Sequence, residues 1–93
     1  MPALGQIQIS QEGRGGNVTV TLTSGSHCFW WEFGGSDCIA FVDVPTAQQW
    51  PAIPALAPHP RTTLLAWLAG EVSSRQCPGA RIVINDRAIE FYR

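Results

Sequence analysis

The chain contains no lysine, and charged residues of both signs make up only 14% of its 93 positions, well short of the roughly 25% usual for globular domains. Its six cations are all arginine and its net charge is -1. No basic stripe therefore offers the counterion release on which affinity for a phosphate backbone depends, and nucleic acid is not expected as a partner. Arginine in place of every lysine points to a GC-rich coding sequence and a bacterial source. Cysteine is scarce as well: Cys28, Cys38 and Cys77 are odd in number and lack CxxC spacing. That excludes a disulfide-stapled scaffold and reads as three reduced thiols. No run approaches the roughly 18 apolar residues of a membrane span, and residues 1–6 carry neither the basic region nor the apolar core of a leader. A cytoplasmic location without a membrane partner is the resulting expectation.

What is present is an ordinary apolar content of 45%. A chain of this length builds one core, since it buries only about two thirds of its unfolded surface. Residues 1–93 are read as a single domain. A small unit with few charges must leave part of its surface neutral, which implies that a second copy of the chain or another protein covers some of it.

Ile7 and Ile9 alternate with glutamines and mark a first strand, closed by the turn Glu12-Gly13-Arg14-Gly15-Gly16. Residues 17–24 alternate cleanly, with Val18, Val20 and Leu22 on one face and Thr19, Thr21 and Thr23 on the other. A two-residue turn at Ser24-Gly25 sets Phe29 opposite Val20 and Trp31 opposite Val18. Strand three then sends Phe29, Trp31 and Phe33 to the core and Cys28, Trp30 and Glu32 to the threonine side. Residues 38–44 form a fourth strand whose register the pattern leaves open between Ile39/Phe41 and Ala40/Val42 inward. Residues 45–50 suggest one or two helical turns stopped by Pro51, and prolines 51, 54, 58 and 60 predict a stiff connector. From about Pro60 to Arg75, Leu64, Leu65, Leu68, Ala69 and Val72 recur at helical spacing. Pro78-Gly79 ends that helix, and residues 81–93 read as a hairpin turning near Asn85-Asp86. The whole is α+β: an antiparallel sheet of about six strands, in the order ββββ(α)αββ, packed on one main α-helix.

Motifs that carry chemistry are few. Gly13-Arg14-Gly15-Gly16 lies between strands rather than before a helix, so it lacks the amide array that cradles phosphate. His27, Cys28, Cys38, His59 and Cys77 include zinc-type ligands without a knuckle spacing, and His27 and Cys28 point to opposite faces of a strand. No metal, cofactor or catalytic residue is assigned. Pro51-Ala52-Ile53-Pro54 fits PxxP but lacks an adjacent basic residue. The threonine face is the more informative feature, because Trp30 and Glu32 interrupt it with an aromatic and a carboxylate. Thr19, Thr21, Trp30 and Glu32 are the candidate interface, suited to a cationic or hydrogen-bond-donating group. The expected function is a non-enzymatic interaction module, acting as a homodimer or by capping another protein in the manner of adaptor or immunity proteins. The alternative is a small-molecule pocket or minor enzyme between sheet and connector, built on Asp43, His59 and Arg61 beside Glu32.

Overall fold

A computed structural model describes residues 4–93; residues 1–3, part of the stretch read above for a leader, lie outside the described residues. Alternation and turn chemistry produce six strands: β1 (Gln6–Ile9), β2 (Gly15–Leu22), β3 (Gly25–Phe33), β4 (Cys38–Asp43), β5 (Arg81–Ile84) and β6 (Ala88–Tyr92). They form one antiparallel sheet in the order β1-β2-β3-β4-β6-β5, with a single main helix, α1 (Arg61–Gln76), between β4 and β5 in the chain. The α+β class and element order expected from the sequence are thus observed. The terminal hairpin joins the sheet edgewise through β6 on β4. It does not fold back over the threonine side.

The leucine stripe of α1 is the main cover of the inner face. Leu64, Leu65 and Leu68 have no exposed surface, and they share one cluster with Val18, Val20, Phe29, Val42, Ile89 and Phe91. The connector supplies the rest of the lid through Trp50 and Leu56, both buried. Polar bonds fix these pieces. The Trp50 indole donates to His59 O (3.0 Å), Arg75 Nη1 donates to Ile7 O (2.9 Å), and Trp31 Nε1 donates to Ser10 O (2.9 Å).

Three details differ from the sequence reading, and the β4 register that it left open is settled. The β2–β3 turn is Thr23-Ser24, with Leu22 opposite Gly25 and Val18 opposite Phe29. Gly25 adopts φ +133°, a conformation that favours glycine and lets it begin the strand. The slip is two residues, so every side chain keeps its face. Second, Phe33 points to the helix side yet is 42% exposed, because it lies beyond the covered part of the sheet. Third, Pro51 does not stop a helix; it lies inside a short 3-10 turn, Trp50–Ala52. In the fourth strand, β4 turns Ala40 and Val42 inward, and a register shift between Cys38 and Ala40 leaves Ile39 packed on the core as well.

Leu68→Ala is expected to cost about 2–5 kcal/mol, the range for removing a buried leucine from a packed core. Thr62→Ala, on the exposed side of α1, should stay within about 0.5 kcal/mol. Urea unfolding of the two variants beside the parent checks both values.

Candidate interaction face and the open edge of strand three

Period-two geometry places Thr19 and Thr21 of β2, Ser26, Cys28, Trp30 and Glu32 of β3, and Phe41 and Asp43 of β4 on the outer face. Thr19 and Cys28 are register partners, and their Oγ1 and Sγ atoms lie 3.2 Å apart. Trp30 remains 38% exposed. Its indole donates to Glu32 Oε1 at 2.9 Å, a bond made possible because residues two apart on a strand share a face. The ring rests over Gly15, where an added Cβ would meet Trp30 Cζ2 at 2.7 Å and Trp31 O at 2.6 Å. One side of the indole thus shields the backbone of β2, and the rest is available to a ligand.

Acids gather around this aromatic. Glu32 pairs across the ladder with Phe41, and Phe41 with Glu90, while the same β3–β4 register extended by one residue sets Asp43 opposite Trp30. Burial and, second to it, the Glu32 charge push the Asp43 carboxyl above its ordinary value of 3.8. No arginine lies on the outer face of β1 to β4. On the sheet's far side Arg81 points to the outer face, and its guanidinium covers the Tyr92 ring at 4.8 Å.

Beside Trp30 the sheet is incomplete. β4 pairs with β3 only from Trp31 to Phe33, so the half of β3 from Gly25 to Trp30 has β2 on one side and no strand on the other. The cause is legible residue by residue. The β3–β4 register puts Pro45 opposite Cys28, and proline has no N–H to extend a ladder. The chain turns away there, and Arg61 holds the turn: its Nε and Nη2 donate to Pro45 O at 3.1 and 3.0 Å, and Nη2 also donates to Asp86 O at 2.8 Å. Between the open edge and the departing connector lies a cleft of about 510 Å³, lined by His27, Cys28, Phe29 and Trp30 on one side and by Asp43, Gln49 and Ile53 among others.

The bond phase shows which backbone groups face that cleft. Phe33 N donates to Arg14 O on the β2 side, and groups alternate along a strand. His27 and Phe29 are therefore bonded to β2, whereas Ser26 and Cys28 direct N–H and C=O to the unpaired side, where Cys28 lines the cleft. Among the described residues, no backbone or side-chain hydrogen bond from the connector reaches them.

Of the residues singled out from sequence, Thr19, Thr21, Trp30 and Glu32 share the outer face and Asp43 joins them. His59 and Arg61 do not line the cleft. His59 Nε2 lies 3.0 Å from Ser24 Oγ, and Arg61 makes the bonds given above plus an ion pair with Asp86 at 3.6 Å. The zinc-type residues stay apart. His27 packs edge-on against Phe29 with its pKa lowered by burial, Cys28 is exposed, and Cys77 is buried with its thiol pKa raised. Among the described residues no group of three His, Cys, Asp or Glu side chains can hold a metal ion. No helix among them is long and apolar enough to cross a membrane. The sequence reading missed the open edge, although a proline at the end of a strand was its signal. Comparison of the chain with protein-family models, curated proteins and solved structures finds no match.

A carboxyl whose pKa is raised on folding favours the protonated state. Its contribution to stability is complete below the unfolded value and is lost as pH rises through the folded one. For Asp43 this places the window above 3.8. Carbonyl-detected NMR titration is expected to find the Asp43 midpoint above that value and to find it lowered, though not fully restored, in Glu32→Gln. An Asp43 midpoint indifferent to Glu32→Gln would show that the two carboxylates do not share a field.

Proposed function

We propose that this chain is a non-enzymatic interaction module whose outer sheet face receives another protein. The observation that carries this reading is the partly exposed Trp30, hydrogen-bonded to Glu32 on a face that no helix or strand among the described residues covers. Tryptophan anchors interfaces because a large rigid ring buries much area at little entropic cost. Glu32 fixes the ring and presents a carboxylate beside it, with Asp43 and Glu90 on the same face.

The charge pattern favours a different protein over a second copy. A homodimer stacked face to face about a two-fold axis sets the patch against itself, and an axis near Trp30 would bring the Glu32, Asp43 and Glu90 carboxylates of the two copies together. Like charges brought together in an interface are costly. A partner with arginine, lysine or other donor groups meets the same face with complementary sign.

The test is selection from a random peptide display library on the intact protein, followed by counter-selection on Trp30→Ser. The expected result is enrichment of sequences that carry cations and that lose binding to the variant. Light scattering of the parent over a dilution series accompanies it, with a monomer expected. An enriched pool indifferent to Trp30→Ser, or a dimer that Trp30→Ser dissociates, contradicts the proposal.

A further inference from the structure

The Trp30 face adjoins the open edge, and the two together define a ligand more narrowly than either alone. We propose that the cleft between the unpaired edge of β3 and the connector takes a short extended segment of another protein by strand addition, antiparallel to β3, with an arginine or lysine of that segment seated beside Trp30 and Asp43. This rests on the reading of the outer face as a protein-binding surface and adds how the partner is held.

Ser26 and Cys28 each present one N–H and one C=O to the unpaired side of β3, Cys28 in the cleft itself, in the two-residue repeat that an incoming strand matches. Unpaired strand edges are templates for such addition. The orientation follows from β4, which runs antiparallel to β3 up to Asp43 and leaves its line at Pro45. A segment continuing that line places one residue where Pro45 would have paired, opposite Cys28.

That residue points outward, as Cys28 does. Its neighbours on the outer face are Asp43 along its own line and Trp30 on the diagonal across the ladder, about 7–8 Å away and within reach of a long side chain. An arginine there meets an indole face and a carboxylate together, with Glu32 beyond. It is the first residue of the segment to pair, because Val44 already fills the position opposite Phe29; the residue after it, opposite His27, points inward on the side of Ile53 and suits valine or isoleucine. The ligand class is therefore an extended segment alternating cationic and β-branched residues.

The probe is a blocked seven-residue peptide alternating valine and arginine, titrated into the isotopically labelled protein and followed by NMR. Largest amide shifts at Ser26 and Cys28 are expected, with a shift of the Trp30 indole. The glutamate counterpart should not bind, and Asp43→Asn should weaken the arginine peptide about tenfold, as expected for one charge-assisted hydrogen bond. N-methylation separates strand addition from mere attraction of charge. Methyl groups on the arginine nitrogens, which face β3, should abolish binding, while methyl groups on the valine nitrogens should spare it. Cys28→Pro removes the donor that faces the cleft without touching the bonds to β2, and should also abolish binding. The methylated peptides test the parent protein and give the answer even if that variant does not fold. Binding that depends on Trp30 but ignores methylation of the arginines overturns strand addition and leaves the outer-face reading intact. No binding of the arginine peptide, or equal binding of the glutamate peptide, overturns the assigned ligand class, while Trp30-dependent sequences from the display library would still uphold the face.

Discussion

Pro45 stands at the register position opposite Cys28, just past Asp43, and it has no proton with which to carry the β3–β4 ladder along the rest of β3. Arg61 completes the effect. Its guanidinium is largely shielded, takes the Pro45 carbonyl with two N–H groups, reaches the Asp86 carbonyl with one of them, and lies 5.9 Å from the centre of the Trp50 ring. The start of α1, the end of β4, the connector and the terminal hairpin turn are thus tied at one point. Hydrogen bonds from a charged donor in a shielded site contribute more than neutral ones, about 1.5–3 kcal/mol each. Because the chain is held away from β3 here, the cleft exists and the backbone of Ser26 and Cys28 is left unpaired on that side.

A second constraint is the ratio of helix to sheet. Sixteen residues give a helix about 24 Å long and about 10 Å wide, whereas six strands at about 4.8 Å spacing span about 24 Å from edge to edge. One helix therefore covers the middle of one face and nothing else. Trp50 and Leu56 of the connector extend that cover. Phe33, Ile82 and Ile84 remain exposed at its margin although their side chains point to the helix side. Among the described residues no second helix lies on the outer face, so its composition must suit water or a partner. Threonine meets the first requirement, and Trp30 with Glu32 the second.

Much of this was legible in the residues. The Val18-Val20-Leu22 alternation and the Leu64-Leu65-Leu68-Val72 stripe identify the two surfaces that make the core, because periodicity reports directly which way side chains point. Register was harder. The same parity is satisfied by a turn at Thr23-Ser24 or at Ser24-Gly25, and only the dihedral freedom of Gly25 as a paired residue decides between them. In β4 a local irregularity lets Ile39 and Val42 both reach the core, which no strict alternation describes. The pairing of Trp30 with Glu32 on one face followed from spacing alone. The fates of His59 and Arg61 did not, since their partners, Ser24, Pro45 and Asp86, are distant in sequence and any of several loop residues offered equally plausible carbonyls or hydroxyls.

Between Gly25 and Trp30, β3 has one bonded side and one side that no strand among the described residues pairs. Amide hydrogen exchange of the unliganded protein, resolved residue by residue by NMR, measures this directly. The expected pattern has period two: slow exchange at His27 and Phe29, which bond to β2, and fast exchange at Ser26 and Cys28, which face the unpaired side. Equal, strong protection along the whole of that stretch would show that the edge is already paired, and would contradict both the open cleft and the ligand assigned to it.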